Sequence, residues 1–347
     1  MDRDNLKNQI SEWVKEESKH TYRYYRSVLS KEGRECYDVY FHAFLSFQKT
    51  FLLPTSDPEI CDKAYQYCLL DNPLLFYAGD VSLWRSTGGI TVKVNYKVKE
   101  KELYEIWQET DRIIRLVRAK CNGKSDIKKE ELIHNTMVRS VVYKDSDYMP
   151  VHSSYAAFMY RKAVCDGISK MSKILFDAVD LPSVIVFGTS WQSMNESGKH
   201  LNEGAHAWNM VKIGGNFYHV DVTFDLNLSN EHHIRYDYFN LTDEQISREH
   251  SYQIGIRTPK EEGDYYHTRG TYFNNKEKLR KYLVGEMDSG KTLIGFKLPY
   301  TANPEYTYQS ISAIIKKALN NSKRHVSRYI TMFNEDQMVL YIQLIYS

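Results

Sequence analysis

Cys165, His206 and Asp221 occur in that order along the chain, each on a segment suited to a thiol nucleophile, its base and the group that orients the base. Cys165 stands in Ala163-Val164-Cys165-Asp166-Gly167-Ile168, where an apolar series with helical spacing begins: Ile168, Met171, Ile174, Leu175, Ala178 and Val179. The spacing predicts a helix with Cys165 at its N-terminus. Unpaired backbone N–H groups and the helix dipole there favour the thiolate, the form that attacks a carbonyl.

The other two residues come in His206-Ala207-Trp208-Asn209-Met210-Val211-Lys212-Ile213, then Gly214-Gly215, then Asn216 to Phe224. This pattern reads as a β-hairpin. A two-residue Gly-Gly loop pairs Ile213 with Asn216, and therefore His206 with Thr223. Asp221 then becomes the diagonal neighbour of His206 on one sheet face, with Cβ atoms roughly 7–8 Å apart. A four-residue loop would set His206 directly opposite Asp221, and a three-residue loop without a bulge would put them on opposite faces.

The chemistry of such a trio is acyl transfer. The thiolate attacks an amide carbonyl, the imidazolium protonates the departing amine, and a thioester remains on the cysteine. The aspartate fixes the imidazole tautomer and stabilises its charged form. Water as acceptor makes the enzyme a peptidase, amidase or deamidase; an amine makes it a cross-linking transferase. The three residues do not choose between these fates. One oxyanion donor is expected in the Cys165 N–H, with Tyr143, Trp208 and Trp191 as candidates for the second and His219 as a residue that lines the site or packs.

Taken together, Ala163-Val164-Cys165-Asp166-Gly167, the strand after Leu181-Pro182, Gly204-Ala205-His206-Ala207-Trp208-Asn209 and Tyr218-His219-Val220-Asp221-Val222-Thr223-Phe224-Asp225 resemble the transglutaminase-like superfamily of papain-fold cysteine enzymes, in its bacterial branch. The similarity extends upstream through a helix from about Ile127 to Val142, Tyr143, and His152 to Ala157. The resemblance implies Cys165 as nucleophile, His206 as general base and acid, and Asp221 as its orienter. Ile168 stands where the family usually has an aromatic residue, and Arg161 where glycine is common. Neither departure removes a reacting group; both bear on the acyl pocket. An inactive interaction module on the same fold is the alternative that the resemblance leaves open.

Other features narrow the function. Cys36, Cys61, Cys68 and Cys121 read as buried small hydrophobes, and an odd cysteine count without regular spacing argues against a disulfide framework. His232 and His233 lack further ligands at workable spacing and no acidic calcium loop is present, so no metal and no cofactor is expected. Net charge is +2 with acids and bases interspersed, and no phosphate loop or dinucleotide motif occurs, which excludes a nucleic-acid groove and a nucleotide site. The expected partner is a peptide or protein substrate. The start of the chain has no apolar leader and no segment approaches a membrane span, so a cytoplasmic location is expected; a secreted chain whose leader had been removed would read the same. The 28 tyrosines form clusters, Tyr22, Tyr24 and Tyr25 or Tyr236 and Tyr238, that suit either packing or a contact surface.

The elements that must position the trio follow from periodicity. Residues 1 to about 70 read as helical, Asp71-Asn72-Pro73 breaks the pattern, Phe76 to Lys99 suggests two strands around Gly88-Gly89, and a helix follows through Ile106 to Val117. Helix, loop, cysteine-bearing helix, strand and hairpin then make an α+β core with helices on an antiparallel sheet. A polar loop, Trp191 to Glu203, ends just before His206. From Thr271 the pattern reads β-α-β-α-β-β with a turn at Asn334-Glu335-Asp336. The expected divisions are a mainly helical region at 1–124, the catalytic core at 125–245 and a small α+β domain at 246–347.

Overall fold

A computed structural model of the chain describes residues 3–191, 193–194, 200–300 and 305–347. The N-terminal layer contains α1 (Arg3–Glu17), α2 (Tyr24–Ser27), α3 (Lys31–Leu45), β1 (Thr50–Leu53), α4 (Pro58–Asp71), β2 (Val81–Ser86), β3 (Gly89–Val94) and α5 (Glu100–Cys121). Ser30 caps α3 by accepting from Gly33 N–H, and Asp57 caps α4, whose first position is Pro58. The strands pair in the order β1-β3-β2. β1 corrects the reading of residues 1 to 70 as wholly helical: a four-residue apolar run carries no period that separates strand from helix, and only its pairing with β3 makes it a strand.

One apolar core runs from Leu6 in the helical layer through Cys68, Val117 and Ile168 to Phe239. The break at Asp71-Asn72-Pro73 fastens that layer. Asp71 accepts the N–H groups of Tyr25 (3.0 Å) and Arg26 (2.9 Å) and the Tyr37 hydroxyl (3.1 Å), while the Ser154 hydroxyl donates to Pro73 O (3.2 Å). The tyrosine clusters pack in part: the Tyr25 hydroxyl donates to Ile185 O and Tyr236 stacks on Tyr265 with centroids 3.9 Å apart, whereas Tyr22 stays exposed.

The central layer follows as α6 (Asp126–Ser140), β4 (Val142–Tyr143), α7 (Ser154–Met159), β5 (Lys162–Ala163), α8 (Cys165–Asp177), β6 (Ser183–Ser190), β7 (Ser193–Met194) and β8 (His200–Leu201). Then come β9 (Gly204–Ile213), β10 (Asn216–Val220), α9 (Val222–Leu228), β11 (Phe239–Leu241), α10 (Asp243–Ile246) and β12 (His250–Tyr252). Five strands form an antiparallel sheet in the order β11-β10-β9-β6-β12. Its edge strand β12 comes from beyond residue 245. One face packs on α8, where Asn209 Nδ2 donates to Ser169 O (3.1 Å). The other buries Val186, Trp208, Met210, Tyr238, Leu241 and Ile246. Lys173, fully buried on α8, donates to Tyr22 O (3.1 Å) and Ser183 O (2.9 Å) and pairs with Asp177 at 3.0 Å, so one ammonium ties helical layer, helix and sheet together. Of the polar loop expected over Trp191 to Glu203, residues 192 and 195–199 lie outside the described residues; β7 pairs with β8 across it.

The C-terminal unit has α11 (Tyr265–Arg269), α12 (Lys276–Asp288), β13 (Leu293–Lys297), α13 (Tyr308–Asn321), β14 (Val326–Asn334) and β15 (Val339–Tyr346), with an antiparallel sheet ordered β13-β15-β14 and its own core around Leu283, Phe296, Ile315 and Ile342. The expected first strand is reduced to a single bridge between Tyr272 and Lys297. Its β14–β15 turn reaches back into the central layer, where Gln337 Nε2 donates to Glu249 (3.0 Å) and Gln245 O (3.1 Å).

Candidate active site

Cys165 is the first residue of α8, with Val164 in extended conformation before it, so its N–H has no acceptor within the helix. Two local features bring it there. Arg161 takes a left-handed backbone (φ 53°), which accounts for a glycine preference at this position. Gly167 lies under the strap that leads into α7: a Cβ there would meet Val151 O at 2.4 Å, so the spacing of cysteine and glycine is a packing requirement. Cys165 is partly exposed and the other four cysteines are buried. Burial raises the Cys36 thiol to about 12 and the Cys61 thiol to about 11, which leaves both inert at neutral pH.

The hairpin forms with the two-residue loop. Ile213 pairs with Asn216, and Gly214 and Gly215 take positive φ (58° and 93°), as a tight hairpin turn demands. The pairing ends at Val220 opposite Asn209, however, and the expected partnership of His206 with Thr223 does not form. Instead the chain turns into α9, with Asp221 as its N-cap: Oδ1 accepts from Phe224 N–H (3.1 Å), and the Asp221 N–H donates to Tyr238 O (3.0 Å). A cap-forming aspartate outweighs the β-favouring Val222-Thr223-Phe224 run. Asp221 still lies on the anticipated face, and its Oδ2 sits 2.7 Å from His206 Nε2.

His206 is almost fully buried, and Cys165 is a hydrogen-bonding and charge partner of its imidazole. Burial disfavours its charged form, but the Asp221 charge and hydrogen bond, with Cys165, outweigh burial and hold its pKa at about 10. Burial likewise opposes ionisation of Asp221. His206, through charge and hydrogen bond, and then His250 prevail and keep the carboxyl well below the usual range. The site therefore holds a buried imidazolium–carboxylate pair beside the partly exposed Cys165 sulfur.

The remaining expected residues divide. Tyr143 is 41% exposed on β4, which pairs alongside Ala163 two residues before the thiol. Burial, then the charges of Cys165, Asp145, Asp166 and Asp221, raise its phenol pKa, which places the hydroxyl in the field of the site. Trp208 is not free to stabilise an oxyanion: its indole N–H donates to His219 Nδ1 (2.9 Å). It lines the site differently, stacking on the His206 ring at 5.7 Å between centroids. His219 is fully buried and packs, with Nε2 at 3.0 Å from Asp243 and 3.1 Å from the Tyr252 hydroxyl. Trp191 is buried, its backbone N–H on Glu249 O (3.0 Å).

Two groups were not anticipated. His250, on β12, places Nε2 3.0 Å from the same Asp221 oxygen that His206 uses. His134 on α6 meets Asp225 on α9 at 2.9 Å, both fully buried, and so braces the helix that Asp221 caps. No spacing signal connects His250 with a residue 29 positions earlier; an aspartate that serves two imidazoles is visible only in space.

His206, Asp221 and His250 also have the donor types of a metal site. Their N–O separations, 2.7 and 3.0 Å, are those of hydrogen bonds. Ligands about 2.0–2.2 Å from one tetrahedral ion would stand more than about 3 Å apart. A second such group, Glu262, Asp264 and His267, already holds a cation in the buried Lys297 ammonium, 2.7 Å from Asp264.

Among the described residues no helix is long and apolar enough to cross a membrane. Residues 115–222 match the family model described as Transglutaminase-like superfamily, a span that contains Cys165, His206 and Asp221. No match is found among the curated proteins. Solved structures similar to this chain include one titled as a TGase (17% identity, TM-score 0.30, 58% of this chain and 60% of that one). Another is the periplasmic domain of TgpA from Pseudomonas aeruginosa (13% identity, TM-score 0.29, 39% and 55%). A third is a candidate cysteine protease from Cytophaga hutchinsonii (14%, TM-score 0.28, 43% and 63%). The alignments thus span less than two thirds of each of these relatives. Residues 115–222 thus carry this chain's likeness to the transglutaminase-like superfamily.

Proposed function

We propose that this chain is a cysteine-dependent acyl-transfer enzyme acting on peptide or protein amides through a thioester on Cys165. The observation that carries the reading is the run of Asp221, His206 and Cys165 from buried carboxylate to accessible thiol. The proton given up by the thiol rests on His206 as the imidazolium of that pair, and the Cys165 thiolate adds to the amide carbonyl. The imidazolium then returns that proton to the departing nitrogen as the C–N bond breaks and the thioester remains. Asp221 stabilises the imidazolium throughout and exchanges no proton. The Cys165 N–H and the Tyr143 hydroxyl supply the oxyanion donors.

Water is the acceptor we favour, because Cys165 is partly open to solvent. An amine acceptor gives the cross-linking reaction from the same thioester. Beside the nucleophile, His152 and Lys170 contact Asp166 and also line a cavity of about 330 Å³ with Tyr65, Phe76 and Tyr155, a recess suited to a substrate side chain.

The test is to incubate the protein with dimethylcasein and monodansylcadaverine, and to measure ammonia release, amine incorporation and new peptide N-termini against Cys165→Ala. Activity in any channel that Cys165→Ala abolishes supports the reading. Wild type equal to Cys165→Ala in all three channels overturns it.

A further inference from the structure

We propose that His250 is a positioning residue that acts through Asp221 and extends the Cys165, His206 and Asp221 trio into a four-residue hydrogen-bonded chain. The inference rests on the acyl-transfer reading above and concerns how its base is held. Asp221 has two oxygens, and the structure ties both: Oδ1 to Phe224 N–H at the start of α9, and Oδ2 to His250 Nε2 at 3.0 Å. His206 Nε2 approaches the second oxygen at 2.7 Å. With three donors from three different elements, the carboxylate has no rotation left that keeps its partners. Removing the His250 donor frees the oxygen that His206 depends on.

The environment of His250 fits a donor in neutral form. Burial lowers its pKa despite the hydrogen bond and charge of Asp221, and the His206 cation adds to the lowering. A neutral ring with its proton on Nε2 can only donate to Asp221, so it supports the carboxylate without competing for its charge. The groups that face it are Asp221 and His206 at the site, the Ile246 carbonyl, Tyr238 and Trp208 through ring contacts at 6.1 and 4.8 Å, Phe224 at 4.8 Å, and His219 behind Trp208.

The strand that carries His250 is itself held from two sides. β12 pairs with β6 across Gly188, where a Cβ would lie 2.0 Å from Ser251 O, so only glycine admits the strand this close. Glu249, next in sequence, accepts from the Tyr238 hydroxyl (2.6 Å) and from Gln337 Nε2 (3.0 Å), and Asn334 Nδ2 donates to the same Tyr238 hydroxyl (3.2 Å). The C-terminal turn thus supports the residue before His250. A polar pair as fully buried as Asp221 and His250 is costly unless each member is used.

The experiment compares wild type, His250→Phe, which keeps a ring but no donor, and His250→Gln, whose amide can donate in place of Nε2. Two readouts are taken: the titration of His206 in protein labelled with ¹⁵N-histidine, and kcat and KM per Cys165 titratable with iodoacetamide. The expected result for His250→Phe is a His206 titration displaced to lower pH and a kcat reduced about 10–100-fold with KM changed less than about twofold. His250→Gln should return both toward wild type. A His250→Phe protein with the wild-type His206 titration and kcat overturns the proposal. Should His250→Phe fold poorly, His250→Asn, whose shorter amide stops short of Asp221, replaces it with the same two results. The titration needs no substrate, so a wild type without turnover would refute the acyl-transfer reading and leave the His250 proposal to be decided by the spectra.

Discussion

Asp221→Asn separates the charge of this residue from its shape. Asparagine is isosteric and caps helices as well as aspartate does, so the bond from Phe224 N–H survives. The opposite end of the amide is then an NH₂ facing two imidazole Nε2 atoms at 2.7 and 3.0 Å. His206 can accept from it only by moving its proton to the other ring nitrogen, which removes the acceptor for the thiol proton. Holding His206 at about 10 rather than 6.5 is worth on the order of 5 kcal/mol in favour of imidazolium. Burial alone would then favour the neutral ring. The corresponding change in a serine triad costs about 10⁴ in kcat, and a loss of at least about 10³ is expected here.

Stability must follow the same pair. The raised His206 pKa contributes stability that is complete below its unfolded value of 6.5 and is lost as pH rises through about 10. The depressed Asp221 pKa contributes stability that is present above its unfolded value of 3.8 and lost as pH falls through the lower, folded one. The difference between wild type and Asp221→Asn is therefore greatest between about pH 4 and 6.5, roughly 3–5 kcal/mol for one partner of a buried pair, and shrinks toward pH 10. Urea unfolding of both proteins at about pH 5.5, 7.5 and 9.5 measures it. A stability difference that stays constant over this range, or a kcat loss below about tenfold, would refute the electrostatic argument.

Three further outcomes follow from the geometry. Tyr143→Phe should lower kcat about 10²-fold while the rate of Cys165 alkylation stays within about twofold of wild type, because the role proposed for the hydroxyl is toward the oxyanion and not the thiol; stopped-flow turnover and mass spectrometry decide it. Arg161→Gly should stabilise the fold by about 0.5–1 kcal/mol in denaturant unfolding, since it relieves a left-handed backbone at an exposed side chain and gives back part of the gain in unfolded-state entropy. Gly188→Ala should destabilise by more than about 2 kcal/mol and expose amides of residues 250–252 to hydrogen exchange, because its Cβ collides with Ser251 O.

Much of the site could be read from the chain because its signals are local. The helix register after Cys165, the Gly214-Gly215 turn and the alternation of β9 each lie within a dozen residues, and they sufficed to bring His206 and Asp221 to one face. The error at Val222 to Phe224 shows the limit: β-favouring residues there yield to a cap that is completed by Tyr238 O, a partner 17 residues away. β1 was hidden for the same reason, since its strand character depends on β3 some 40 residues later. Trp208 looked available as a donor because its acceptor, His219, lies across the hairpin. His250 and the β14–β15 turn behind it are purely tertiary, and no periodicity announces them.

The claim that Cys165 and His206 form a working pair is tested most directly by alkylation of Cys165 with iodoacetamide as a function of pH, read by mass spectrometry in wild type and His206→Gln. The account predicts that near pH 6.5 wild type reacts at Cys165 at least about tenfold faster than His206→Gln, with Cys36, Cys61, Cys68 and Cys121 left unmodified in the folded protein. Equal rates in the two proteins across that range would contradict the pair and, with it, the acyl-transfer reading.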